Sequence, residues 1–281
     1  MKNRVLGTTG VSVGEIGMGC MPISVHGRPS EETGIEAINA ALEAGITLFD
    51  TADSYCLETA EMGHNEQVLA KALKNHPEAY VATKGGLLRP EGQWETDGRP
   101  QRLREACEAS LKALDRDDIF LYQFHHPDLK VNFADSIGAL ADLQRAGKIV
   151  HIGLSNVTVE ELDEALSIVP IVSVQNRMNV FDRSSAAVLR RCEELGIAFL
   201  PYSPLNGMGQ AGKLGDNKVL AAIAAENSLS PQQVALAWLL QHSPVILPIP
   251  GASRAKNIVN SAGASAVTLS AADIEQLNAI A

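Results

Sequence analysis

The sequence predicts a single (β/α)8 TIM barrel, an α/β fold, preceded by an N-terminal β-hairpin. Three observations point there. Eight short apolar strand candidates alternate with amphipathic helical stretches along the 281 residues, the pattern of parallel-sheet proteins. The strands are near-continuous apolar runs such as Ile197-Ala198-Phe199-Leu200, which implies burial on both faces. No linker or shift in composition divides the chain, so residues 1–281 read as one domain. An open dinucleotide-binding sheet would want G-x-G-x-x-G after its first strand, and Gly17-Met18-Gly19-Cys20-Met21-Pro22 does not match.

The hairpin comes first: Arg4-Val5-Leu6 and Val11-Ser12-Val13 flank the turn-rich Gly7-Thr8-Thr9-Gly10. Strands are expected at 16–19, 46–49, 80–83, 119–124, 149–154, 171–174, 197–200 and 245–248. Helices are expected at 31–44, 64–74, 101–114, 133–146, 159–168, 184–195, 217–226, 231–242 and 254–262. In 31–44, Ile35, Ile38, Ala41 and Leu42 repeat at helical spacing, and Gly45 stands where a helix should end. Pro231 suits a first helical turn after Ser230, and Ser270 a cap before a last helix at 271–279. The longest irregular segments, 85–100 and 201–216, both follow strands. They belong on the C-terminal face of the barrel, and loops of that length are more often functional than idle.

Composition excludes several classes of partner. Hydrophobic residues make up 46% of the chain, enough for a large core. The net charge of -10 argues against nucleic acid or an anionic membrane as partner. No apolar run approaches the roughly 18 residues of a membrane span, and Met1-Lys2-Asn3-Arg4-Val5 lacks the apolar stretch of a signal peptide. Cys20, Cys56, Cys107 and Cys192 are scattered without a C-x-x-C pair, which fits a reducing, cytoplasmic setting. His125, His126 and Asp128 do not have metal-ligand spacing, so no metal site is expected. Nothing in the sequence sets an oligomeric state.

The strand exits carry the functional signal, because the active site of this fold lies at the C-terminal ends of the strands. Those exits hold Asp50, Lys84, His125, Ser155-Asn156, Gln175-Asn176, Tyr202-Ser203 and Gly251-Ala252-Ser253-Arg254. Lys and Asp at neighbouring exits would form a charge-assisted pair. Tyr55 beside that ammonium would release its proton more readily, and His125 could orient a carbonyl oxygen. Taken singly, each has a plain alternative. Asp50 could cap a loop, Tyr55 could be a packed aromatic, Lys84 could be a solvated loop lysine, and His125-His126 could be one core and one surface residue. Seven exits converging favour chemistry. Gly251-Ala252-Ser253-Arg254 offers close backbone approach, a following helix N-terminus and a guanidinium for a phosphate.

These residues resemble the aldo-keto reductase family over almost the whole chain. The matching blocks are Phe49-Asp50-Thr51-Ala52-Asp53-Ser54-Tyr55, Val81-Ala82-Thr83-Lys84, Leu121-Tyr122-Gln123-Phe124-His125-His126-Pro127-Asp128 and Ile152-Gly153-Leu154-Ser155-Asn156. Val174-Gln175-Asn176, Tyr202-Ser203-Pro204-Leu205 and Ile249-Pro250-Gly251-Ala252-Ser253-Arg254 follow in order. The resemblance implies an NADP(H)-dependent reduction of small carbonyl compounds, with Asp50, Tyr55, Lys84 and His125 as catalytic residues. Tyr55 would be the general acid, Lys84 would lower its pKa, and His125 would position the substrate oxygen. The nicotinamide carboxamide would fall to Ser155, Asn156 and Gln175, with Asp50 beside it and Tyr202 stacked on the ring. Ser203, Leu205 and Gly207 would line the pyrophosphate channel, Ser253 and Arg254 would take the 2′-phosphate, and Gly251 would be a further cofactor-binding residue. Met21, Trp94, His126 and Met208 are expected as substrate-pocket walls.

The chain departs from the family pattern at Cys56, where glycine usually follows the tyrosine, with a lengthened loop over 56–62. It also departs at Asn260-Ser261, where the family often has Glu-Asn. The chain stops at Ala281, so an open, permissive pocket is expected. Three other readings stand beside reduction. They are alcohol, sugar or pyridoxine oxidation by the same groups, a non-catalytic cofactor-binding regulatory subunit, and a Schiff-base enzyme with Lys84 as nucleophile.

Overall fold

A computed structural model describes residues 1–280. In chain order the elements are β1 (Asn3–Val5), β2 (Ser12–Gly14), β3 (Met18–Gly19), α1 (Glu31–Glu43), β4 (Leu48–Asp50), α2 (His64–Ala72) and β5 (Tyr80–Gly85). Then come β6 (Leu87–Leu88), β7 (Glu95–Thr96), α3 (Pro100–Leu114), β8 (Ile119–Phe124), α4 (Phe133–Arg145), β9 (Ile149–Ser155), α5 (Val159–Leu166) and β10 (Ser173–Gln175). The chain continues through α6 (Ala186–Leu195), β11 (Ala198–Phe199), α7 (Lys218–Glu226), α8 (Pro231–His242), α9 (Ala255–Ala262) and α10 (Ala271–Asn278). The (β/α)8 barrel is built from a curled parallel sheet ordered β3-β4-β5-β8-β9-β10-β11, closed by the segment 245–251.

That closing segment is the one predicted strand not formed as a regular ladder. It bridges β11 at Phe199–Ile246 and β3 at Gly19–Gly251. Pro248 and Pro250 have no N–H to donate, but their carbonyls accept from Gly17 and Gly19 at 2.9 and 3.0 Å. The seam is therefore held by alternate hydrogen bonds. The 85–100 segment also differs from expectation. It is not irregular throughout, because β6 and β7 pair as a small antiparallel hairpin on the barrel mouth.

Strand periodicity sorts the side chains into two cores. Phe49, Val81, Tyr122, Phe124, Ile152 and Leu154 point outward against the helices. Leu48, Ala82, Leu121, Ala198 and Leu200 point into the barrel. Residues two further along, Asp50, Lys84 and Gln123, thus enter the same interior one layer higher. Pairing of Lys84 with Gln123, and of Gln175 with Ser155, brings them level. A side chain at Gly153 would meet Ser173 Oγ at 2.4 Å and Gln123 Cγ at 2.9 Å, so only glycine leaves room for this layer.

Helix ends follow their capping chemistry. Thr158, Ser230 and Ser270 each form a reciprocal capping box, with Glu161, Gln233 and Asp273, and Pro231 opens α8. No helix among the described residues is long and apolar enough to cross a membrane.

The β1–β2 hairpin plugs the bottom of the barrel with Leu6 and Val13, which join the inner core. Arg4 fixes it by donating to the carbonyls of Leu240 and Ser243 at the end of α8 and of Ile246 in the closing segment. Gly7 makes the closest approach. It has a φ of 52°, and a Cβ there would lie 2.1 Å from the Val172 carbonyl oxygen. Gly7→Ala combines left-handed strain with overpacking and should cost about 3 kcal/mol. In urea unfolding the midpoint falls while the slope stays constant. An unchanged midpoint would mean that the hairpin is not docked on the barrel floor.

Candidate active site

The top layer of the barrel centres on the Lys84 ammonium. Lys84 is 0% exposed and Asp50 2%. The amine donates to Asp50 Oδ2 at 2.7 Å, the Thr51 carbonyl at 2.8 Å and Tyr55 Oη at 2.9 Å. An ammonium has three protons, and here each has an acceptor. Burial opposes its charge, but Asp50 and Tyr55 outweigh that and raise its pKa above the ordinary lysine value. Asp50 Oδ1 accepts in turn from Gln123 at 3.1 Å and Gln175 at 2.7 Å.

Tyr55 is 7% exposed and borders the cleft. Its oxygen accepts from Lys84, so its own proton is left to donate elsewhere. Burial pushes its pKa up to about 12, and the Lys84 ammonium pulls against that. The ammonium thus lowers the tyrosine pKa as expected, but desolvation is the larger effect and the net shift is upward. Tyr55 is fully protonated at neutral pH. His125 packs edge-on against it, ring centroids 5.7 Å apart. Burial first, then Lys84 and His126, hold His125 well below the ordinary imidazole range, so it is neutral. Ser54 Oγ lies 3.5 Å from His125 Nδ1.

The loop carrying Tyr55 is fastened from below. Thr51 Oγ1 donates to Asn65 at 2.6 Å, and Asn65 donates to the Cys20 carbonyl and Ser24 Oγ. Cys56 is buried with its sulfur directed at the Ser54 carbonyl, and its backbone has no positive φ among the described residues. Glycine is therefore not required there. The lengthened loop is strapped by a two-pronged Arg28–Glu61 pair at 2.8 and 3.0 Å. Behind Asp50, Tyr55 and Lys84, the buried side chains of Asp53, Glu66 and Tyr122 lie in the layer between barrel and helices, with the half-buried Arg102 paired to Asp53 at 3.3 Å. Burial raises Glu66 to about 7, and burial with Glu66 beside it raises Asp53.

A cleft of about 830 Å³ opens over this layer. Of the expected residues, Asp50, Tyr55, His125, Ser155, Asn156, Gln175, Tyr202, Ser203, Leu205, Gly207, Gly251 and Ser253 all line it, as do Met21, Trp94 and Met208. Lys84 lies just beneath. Besides Lys84, two expected residues do not line it. His126 is exposed, with Nδ1 turned to the Pro127 carbonyl at 2.9 Å, because alternation along the chain sends it opposite to His125. Arg254 is exposed at the start of α9, outside the lining. Sequence reasoning missed Arg89, His26 and Asn257, which also line the cleft. Arg89 sits inside the 85–100 segment already marked as functional by its length. His26 and Asn257 carry no pattern that distinguishes them from surface residues.

The hydrogen-bond capacities around the cleft are specific. Ser155 Oγ accepts from Asn156 Nδ2 at 3.0 Å, which leaves its own proton free. Gln175 Nε2 donates to Asp50 and Gln123, which leaves its carbonyl oxygen as an acceptor. Asn156, held at a φ of 60°, ties together the His125 carbonyl and the Tyr202 hydroxyl. The loop after β11 places Ser203, Asn206 and Gly207 at positive φ, with the Asn206 N–H donating to the Ser203 carbonyl at 3.0 Å.

Comparison with known proteins agrees with this geometry. The profile described as the Aldo/keto reductase family matches residues 15–281. An uncharacterised oxidoreductase of Schizosaccharomyces pombe is 38% identical over 263 residues, covering 92% of this chain and 83% of that protein. A probable aldo-keto reductase of Glycine max is 35% identical over 304 residues, covering 97% and 86%. The crystal structure of a thermostable aldo-keto reductase with the inhibitor epalrestat superposes with a TM-score of 0.86 at 29% identity, over 100% of both chains. A barrel with this cleft, matched by the family profile over nearly its full length, is an oxidoreductase of carbonyl compounds: the chain belongs to the aldo/keto reductase family.

Proposed function

We propose that this protein reduces aldehydes and ketones to alcohols with NADPH, and that Tyr55 delivers the proton. The observation that carries this reading is the 2.9 Å contact in which Tyr55 Oη accepts from Lys84. It leaves the phenol proton directed to an outside acceptor, and the cleft is where such an acceptor would sit.

The residues present fit a nicotinamide dinucleotide. A primary carboxamide needs one donor for its oxygen and an acceptor for its nitrogen, and Ser155 Oγ and the Gln175 carbonyl supply that pair. The Tyr202 ring, fixed through its hydroxyl to Asn156, suits stacking on a flat heterocycle. Ser203, Leu205 and Gly207 would follow the diphosphate. Ser253 and Arg254, at the start of α9, would hold the 2′-phosphate, where helix N–H groups and a guanidinium favour a dianion. When bound, the nicotinamide supplies a hydride to the carbonyl carbon.

The chain's own residues handle the oxygen. Neutral His125 orients the carbonyl through Nε2, Tyr55 transfers its proton to the oxygen as negative charge builds there, and Lys84 stabilises the phenolate left behind. Asp50, with Gln123 and Gln175 on its second oxygen, keeps the ammonium in place. A Schiff-base role for Lys84 fits less well. A nucleophilic amine must be neutral, whereas this one is paired on all three protons and its pKa is raised.

Tyr55→Phe should lower aldehyde-dependent NADPH consumption by about 100-fold or more, while NADPH binding, followed by tryptophan quenching, stays intact. Surviving turnover would remove Tyr55 as the acid. Arg254→Ala should weaken NADPH by roughly tenfold or more and leave NADH nearly unchanged. Equal losses for the two dinucleotides would show that Arg254 does not read the 2′-phosphate.

A further inference from the structure

The cleft contains a cation for which the proposed reduction has no use. Arg89, in the loop between β6 and β7, is 6% exposed and lines the cleft beside Tyr55, Trp94 and His125. Its Nε–H donates to the Cys56 carbonyl at 3.3 Å. Its guanidinium carbon lies 3.9 Å from the centroid of the Trp94 ring. Among the described residues it forms no ion pair, and its two terminal nitrogens donate to no protein acceptor. A guanidinium this buried is normally matched by a carboxylate, because an unpaired charge is costly to desolvate. Among the described residues the only acid lining the cleft is Asp50, and it is already bound to Lys84.

The position is as informative as the missing partner. Trp94 lies edge-on to Tyr55, with centroids 6.3 Å apart, and its ring is 6.5 Å from that of His125. Arg89 stacks on that same indole. Arg89, Trp94 and Tyr55 are thus neighbouring parts of one cleft wall. Arg89 belongs to the segment that follows β5, whereas the dinucleotide is assigned to the loops after β11 and before α9. The Trp94 ring and the Cys56 contact hold the guanidinium, and its two terminal nitrogens keep their protons for another acceptor. Paired N–H groups in one plane match the two oxygens of a carboxylate or phosphate.

We infer that the substrates of this enzyme are carbonyl compounds carrying an oxyanion, and that Arg89 binds that oxyanion while the carbonyl lies at Tyr55. The inference rests on the reductase reading above and adds the substrate class. In a chain of net charge -10, the cleft then draws in anions through a local cation that the overall charge would conceal. Arg89 is a specificity residue and takes no part in proton transfer.

The test compares substrates that differ only in charge. Steady-state kcat/KM is measured for 4-carboxybenzaldehyde against its methyl ester, and for 4-formylphenyl phosphate against 4-methoxybenzaldehyde, with wild type, R89Q and R89K. Wild type should favour at least one anion over its neutral partner by about tenfold or more, through KM. Which anion is favoured tells carboxylate from phosphate. In R89Q that ratio should collapse towards one, and R89K should restore part of it. No charge preference in wild type, or a ratio unchanged in R89Q, overturns the inference and leaves Arg89 as a strut for the Trp94 wall. If no aldehyde consumes NADPH, the reductase reading fails separately. Tryptophan fluorescence titration with benzoate and benzamide then decides the anion site: benzoate alone should bind, and only with Arg89 present. Equal binding of the two, or binding unaffected in R89Q, contradicts it.

Discussion

An ammonium buried at the top of the barrel must place all three of its protons, and the site is arranged around that requirement. Lys84 has no access to solvent, so each N–H left without an acceptor would cost a large fraction of the whole stability of the fold. Asp50 and the Thr51 carbonyl take two protons. Tyr55 Oη takes the third. The third contact fixes the direction of the phenol proton, because an oxygen that accepts from Lys84 must donate elsewhere. The acid role proposed for the tyrosine thus follows from how lysine was made tolerable in the interior. Burial raises the pKa of Tyr55 and lowers that of His125, while the Lys84 ammonium lowers both. The phenol keeps its proton, and the imidazole remains without a second one.

The barrel delivers these groups by counting in twos. Leu48, Ala82 and Leu121 fill the interior, and Asp50, Lys84 and Gln123 follow two residues later on the same face. That regularity is why the strand exits could be read from sequence. A buried parallel strand shows its apolar run, and the first polar residue after the run marks the mouth. Caps were legible for a similar reason, since Ser230-Pro231 and Ser270 act within a few residues of themselves. The eighth strand was legible as a position but not as a ladder, because Pro248 and Pro250 remove donors while keeping the chain extended.

Legibility ended where side-chain direction stops being set by the strand. His126 was expected in the pocket because it adjoins His125, yet adjacency in an extended chain means opposite faces. Arg89 was overlooked because nothing local distinguishes it from a solvated arginine. Its burial comes from Trp94 and the Cys56 carbonyl, which arrive from other turns of the loops. Cys56 departs from the family pattern without disturbing the backbone, since no left-handed conformation is needed there. The lowered tyrosine pKa was expected from the charge of Lys84 alone. Sequence gives the charge but not the depth of burial, and in this cleft burial is the larger effect.

The hydrogen-bond direction at Tyr55 is open to direct measurement. With only four tyrosines in the chain, ring-labelled tyrosine resolves each Cζ by NMR in a pH titration of the cofactor-free enzyme. Tyr55 should remain a phenol through the neutral and mildly alkaline range and ionise only near a pKa of about 12. Replacing Lys84 by methionine should push that ionisation higher still, because desolvation then acts unopposed. A Tyr55 signal that is already phenolate at neutral pH, or one indifferent to loss of Lys84, would contradict the account.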